Sequence, residues 1–175
     1  GGLSPARRHA AMLTGDALHR ALSAVASSGE LISAPVEGRV LVAVSGGVVL
    51  DVTKMDRIVE VDPVDLVAVV QPGVVLGVFQ EAVEAQGLFY PPDPNSQATC
   101  TLGGNVAHDA GGPRALKYGV TREWVQGLEV VLGTGERIRT GHRSRKGVAG
   151  LDLTALLIGS EGTLGAYTEL LLRVM

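Results

Sequence analysis

The residues best suited to chemistry gather in two glycine-rich segments. The first runs Pro91-Pro-Asp-Pro-Asn-Ser-Gln-Ala-Thr-Cys-Thr-Leu-Gly-Gly-Asn-Val-Ala-His-Asp-Ala-Gly-Gly-Pro113, the second Gly159-Ser-Glu-Gly-Thr-Leu-Gly165. Such runs weaken helices and strands, and their physical use is to bring backbone amides closer to a ligand than any Cβ would allow. Pyrophosphate needs several N–H donors at short range, and successive glycines can form an anion-binding concavity that side chains would block. Gly103-Gly104 and Gly111-Gly112 are the candidate pairs, with plain tight turns as the competing use, and Ser96 and Thr101 add hydroxyl donors. Glu161 is either a solvated loop carboxylate or a group that fixes its loop by accepting backbone hydrogen bonds. The ligand these features point to is a phosphate or a flavin.

Other chemistries are not signalled. The chain has no Gly-x-x-x-x-Gly-Lys-Ser/Thr loop, and no Gly-x-Gly-x-x-Gly follows a strand pattern, so neither an NTPase loop nor a Rossmann site is read here. Ser160 lacks the Gly-x-Ser-x-Gly spacing of a nucleophile elbow. His9, His19, His108 and His142 are dispersed without paired ligand spacing, so no metal is expected, and only His108 falls inside a glycine segment. Cys100 stands alone, which excludes an internal disulfide and fits a reducing, cytoplasmic compartment.

Positioning these segments is the task of the elements around them. Thr14 caps an expected helix through about Ser28, and Arg39–Val44 and Val48–Val52 are β-rich. Arg57–Val61 and Leu66–Val70 flank Asp62-Pro63-Val64-Asp65 as a hairpin. An amphipathic helix fits Val75–Gln86 and stops at Gly87. Leu88–Arg114 carries too many Gly and Pro residues for regular structure, and a loop of that length in a compact domain is functional or disordered, with its apolar flanks favouring functional. Trp124–Leu132 and Arg137–Thr140 read as a second hairpin, Leu151–Ile158 as a short helix and Tyr167–Val174 as a last strand. Hairpins mixed with helices, rather than strict alternation, make the class α+β.

With 175 residues the chain can bury one core or two small subdomains sharing it. A hydrophobic content of 46% argues for a folded chain, and with 3% aromatics the core must be built from Val, Leu, Ile and Ala. A net charge of −3 gives no nucleic-acid footprint. No apolar run approaches the roughly 18 residues of a membrane span, and Gly1-Gly2-Leu3 opens no signal peptide.

Four blocks together resemble a known family: Pro91–Ser96, Thr101–Ala107, Ala110–Gly119, and Asp152-Leu-Thr followed by Gly159–Gly165. They are similar to the FAD domain of FAD-linked 2-hydroxyacid dehydrogenases, in the vanillyl-alcohol-oxidase-like superfamily, with the flavin subunit of glycolate oxidase and D-lactate dehydrogenases nearest. The resemblance covers roughly Gly46 to Val174. It implies two small α+β subdomains with non-covalent FAD between them, the N-terminal one, residues 1–47, reduced, and a cofactor-binding core at 48–175. It implies that Pro94, Asn95, Ser96 and Thr101, with Leu102, Gly103 and Gly104, line the cofactor, together with His108, Asp109, Ala110 and Gly111. Glu161, Gly162, Leu164, Gly165, Ala166 and Tyr167 would then run past its other side.

Two departures from the family pattern stand out. The family's first loop, of the type Arg-Gly-x-Gly-Thr-Ser, corresponds here to Ser33–Gly47 and is missing or reduced to Ser45-Gly46-Gly47. The family's Thr-Asn before Ala-Gly-Gly is His108-Asp109, which would place a carboxylate near phosphate oxygens, where like charges oppose binding. The sequence given ends where the resemblance would place a substrate-binding cap domain, so a cap or partner redox subunits are the implied partners and no catalytic residue is assigned. The reading is the FAD-binding domain of a flavin-dependent 2-hydroxyacid dehydrogenase or oxidase, not expected to oxidise glycolate or D-lactate alone. The competing reading is a non-catalytic remnant or assembly module that keeps the fold without FAD.

Overall fold

A computed structural model describes residues 50–144 and 146–175. The expected helix from Thr14, the strand Arg39–Val44, the reduced subdomain 1–47 and its Ser45-Gly46-Gly47 loop lie outside the described residues. Of the expected strand Val48–Val52, only Leu50, Asp51 and Val52 are described, and they belong to no strand.

One five-stranded antiparallel sheet organises the rest, in the order β1-β2-β5-β3-β4. Strands β1 (Ile58–Asp62) and β2 (Val67–Val70) form the first expected hairpin. Asp62 closes its turn by accepting the amides of Val64 and Asp65 at 2.8 and 3.0 Å. Strands β3 (Val125–Leu132) and β4 (Arg137–Gly141) form the second, and β5 (Gly165–Arg173) sits between β2 and β3. The period-2 alternation of strands puts Ala68, Val70, Leu128, Val130, Leu170 and Leu172 on one face, where they join the core. Helix α1 (Leu76–Glu84) covers this face with Leu76, Phe79 and Val83, and Gly87 ends it at φ +74°.

The expectation of no regular structure over Leu88–Arg114 is corrected by helix α2 (Leu102–His108). Two effects offset the helix cost of its glycines. Thr101 caps the helix by accepting the Gly104 amide at 3.2 Å, and Leu102 and Val106, one turn apart, are both wholly buried. Helix α3 (Ala115–Tyr118) and a 3₁₀ turn (Thr121–Trp124) lead into β3, and α4 (Leu153–Leu157) leads from β4 towards β5. Asp152 caps α4 through the Ala155 amide at 2.9 Å.

Tyr90 lies at the centre of the core, edge-on to Phe79 and Trp124, and its hydroxyl has no hydrogen-bond partner. Burial without a partner costs about 1–3 kcal/mol, so Tyr90→Phe is expected to stabilise the fold by about 1 kcal/mol. Burial also raises the hydroxyl's pKa well above its ordinary value. The unfolded chain then loses this proton near pH 10 while the folded one keeps it, so stability falls as pH rises beyond about 10. Denaturant unfolding across alkaline pH is expected to show a shallower fall for Tyr90→Phe than for the unmodified chain.

Candidate functional site

Helix α2 is the spacer around which both glycine segments are arranged. Its seven residues make it about 10 Å long. At its N-terminal end, residues 94–100 form a turn in which Ser96 O accepts the amides of Thr99 and Cys100. Gln97 O and Cys100 O in turn accept the amides of Gly77 and Leu76, which fixes the turn to the start of α1. Asn95 and Ser96 are left exposed on this surface.

At the other end the helix closes through Asp109, which takes the left-handed conformation at φ +54°. The last carbonyls of a helix have no partner within it. Here Val106 O accepts the Gly159 amide at 3.0 Å and Ala107 O the Glu161 amide at 2.9 Å. The second glycine segment is therefore docked on the C-terminal end of the helix that the first one forms. This brings His108, Asp109, Ala110 and Gly111 together with Glu161 and Gly162.

The structure gives Gly103, Gly104, Leu102 and Asp109 specific local partners. The Gly103-Gly104 pair is neither a tight turn nor an open anion cradle, because its amides are already used: Gly103 donates to Pro72 O at 2.8 Å and Gly104 to Thr101 Oγ1. Gly103 is required instead by close packing, since a Cβ there would stand 2.5 Å from Pro72 Cβ and 2.9 Å from Pro72 O. Leu102 is a core residue, wholly buried with its amide on Val74 O.

Asp109 does not present a free carboxylate. Its oxygens accept the Arg122 amide at 2.9 Å and Arg122 Nε at 2.5 Å, so the charge expected to repel phosphate is met by a cation. Glu161 fixes its loop through its own amide rather than its side chain; the carboxylate is exposed and lies 3.7 Å from His108 Nδ1. This pair joins the two segments at the surface.

The remaining positions are distributed by the end of the second segment. Gly165, Ala166 and Tyr167 begin β5, and Leu164 stays 44% exposed beside them. Tyr167 turns inward and its hydroxyl donates to Leu157 O at 2.6 Å, with Ser160 Oγ 3.3 Å away. Burial raises its pKa, while the Ser160 contact works in the opposite direction.

Several site-forming residues escaped the sequence reading. Asp93 accepts the Arg114 amide at 3.0 Å and pairs with Arg114 Nε at 3.1 Å, and a Cβ on Gly112 would collide with Asp93 O. The first glycine segment is thereby closed on itself. Thr121 holds Ala110 O with both its amide and its hydroxyl. Neither Arg122 nor Thr121 carries a spacing signal, since each acts across the segment that contains helix α3.

The donor set fits an extended, phosphate-containing ligand. The amides of Thr101, Gly111 and Gly162 donate to no described residue, and Asn105, 4% exposed, has an Nδ2 with no partner. Among the described residues no group of three His, Cys, Asp or Glu side chains could hold a metal ion. No helix among them is long and apolar enough to cross a membrane.

Residues 24–141 match the family described as FAD binding domain. The chain belongs to this FAD-binding domain family. The match contains the whole first glycine segment and the β3–β4 hairpin, while the second segment lies beyond its end. Among curated proteins, the chain is 54% identical over 130 residues to "Glycolate oxidase subunit GlcD" of Bacillus subtilis (strain 168), covering 74% of this chain and 28% of that protein. It is 48% identical over 134 residues to "D-lactate dehydrogenase" of Anaerostipes hadrus, covering 77% and 28%. The chain thus spans less than a third of the length of these relatives. Among solved structures, alkyldihydroxyacetonephosphate synthase aligns with a TM-score of 0.75 at 24% identity over 93% of this chain and 32% of that one, which shows the shared α+β fold.

Proposed function

We propose that this FAD-binding domain serves a flavin-dependent 2-hydroxyacid dehydrogenase or oxidase of the glycolate or D-lactate type and holds FAD non-covalently. The observation that carries the reading is the docking of Gly159 and Glu161 onto Val106 O and Ala107 O, which joins two glycine segments some fifty residues apart into one surface. The names of the two relatives, a glycolate oxidase subunit and a D-lactate dehydrogenase, supply the substrate class.

In this reading the turn Pro94–Thr101 lines the cofactor at one end of α2, and His108–Gly111 with Glu161–Gly165 lines it at the other. Gly103 and Gly104 take part by setting where α2 lies. The amides of Thr101, Gly111 and Gly162 and the Asn105 side chain are the donors offered to the cofactor. When bound, FAD supplies hydride acceptance from the 2-hydroxyacid carbon. The chain's own residues bind, orient and shield it, and none of those described is assigned a catalytic role.

The purified chain, reconstituted with FAD and desalted, is expected to retain a flavin absorption spectrum. A colourless protein with no signal in an FAD titration would overturn the reading.

A further inference from the structure

The sheet has a second face, turned away from the described helices, and Arg143 reaches across it. Arg143 follows β4, one edge of the sheet, yet its guanidinium pairs with carboxylates at the other edge. Nη1 and Nη2 hold both oxygens of Glu60 in β1 at 2.8 and 2.7 Å, Nη2 also meets Asp62 at 3.0 Å, and Nε meets Asp65 at 3.4 Å. The register explains how this span is made. Gly141, Gly127, Leu171, Val69 and Glu60 form one row across all five strands. The row is roughly 19 Å wide, four inter-strand steps of about 4.8 Å.

Two of its members carry no side chain, and neither position admits one. A Cβ on Gly127 would lie 2.6 Å from Thr140 O, and Gly141, at φ +74°, would drive a Cβ into Gln126 O. The row is therefore bare under β3 and β4, and Arg143 shares a single cleft of about 250 Å³ with Val69 and Leu171 further along it.

We propose that Arg143 is an ionic clasp joining the two edge strands and closing the second face of the sheet, and that it opens as ionic strength rises. Isolated surface ion pairs contribute little, but a bidentate arginine meeting three carboxylates is the networked exception. Backbone amides and the guanidinium hold the Asp62 carboxyl below the usual range, and Arg143 does the same for Glu60. All four side chains are solvent-accessible, so salt reaches them. Opening removes a tether on the segment after β4, whose residues 146–151 are already exposed and include Lys146 with Val148 and Leu151, so what changes is the segment's freedom to enter a protease cleft.

Limited digestion of the full chain with a lysine-specific endoproteinase, which ignores Arg143 and Arg145, tests this, with cleavage after Lys146 followed by mass spectrometry and normalised to cleavage after Lys54 in an exposed turn. Between low and high salt the Lys146 cut is expected to accelerate about fivefold. Glu60→Gln, which leaves Arg143 its contacts with Asp62 and Asp65, is expected to be cut at low salt at a rate between the low-salt and high-salt rates of the unmodified chain. Arg143→Gln is expected to be cut at the fast rate already at low salt, with little remaining salt dependence. Equal rates in all three proteins, or an undiminished salt effect in Arg143→Gln, would overturn the clasp.

Discussion

Replacing Gly103 with alanine is expected to cost about 3 kcal/mol of stability, whereas alanine at Gly104 is expected to be neutral or to stabilise by up to about 1 kcal/mol. The three atoms nearest a Cβ on Gly103 all belong to Pro72, at 2.5, 2.9 and 3.1 Å. They are a rigid ring and the carbonyl that accepts the Gly103 amide, so relief means losing that hydrogen bond or displacing α2. At Gly104 the neighbour among the described residues, outside the helix backbone, is Thr101 Oγ1 at 3.3 Å, a side-chain atom that can yield by a few tenths of an ångström. Alanine there also recovers the helix propensity that glycine lacks. Thermal unfolding of the two variants beside the unmodified chain decides this, and equal losses would show that α2 is not seated on Pro72. Because both glycine segments hang on α2, Gly103→Ala is further expected to weaken FAD binding more than Gly104→Ala does.

The second large effect concerns Asp109. Asp109→Ala is expected to destabilise the chain by about 2 kcal/mol and to weaken FAD binding about tenfold. The substitution removes two hydrogen bonds to Arg122 and leaves a residue other than Gly, Asn or Asp in the left-handed region. Arg122 is 41% exposed, so the ionic part is screened and the hydrogen bonds and backbone conformation carry most of the loss. Asp109→Asn keeps one acceptor and tolerates the same backbone, and about half the effect is expected. The opposite result, tighter FAD binding by Asp109→Asn in a calorimetric titration, would restore the like-charge repulsion that the residue types alone suggest.

These two residues also show where the sequence is transparent and where it is not. The hairpins at Asp62–Asp65 and Gly133–Glu136 and the amphipathic helix ending at Gly87 are legible because turn chemistry and periodicity act over a few neighbouring residues. Helix α2 is hidden because its stability comes from burial of Leu102 and Val106 in a core assembled from residues distant in sequence, which composition cannot report. Both glycine segments can be picked out as special, but the purpose of each glycine cannot: Gly103 and Gly112 are shaped by Pro72 and Asp93, contacts set by the fold. Asp109 reads as an exposed charge until Arg122, thirteen residues on, is brought beside it.

Hydrogen exchange of the full chain with and without FAD tests the central claim most directly, since it reports on backbone amides. Peptides covering 95–112 and 159–165 are expected to gain protection together when FAD binds, while those covering β1 and residues 146–151 stay unchanged. FAD binding that protects neither glycine segment, or only one of them, would contradict a cofactor surface built on both sides of α2.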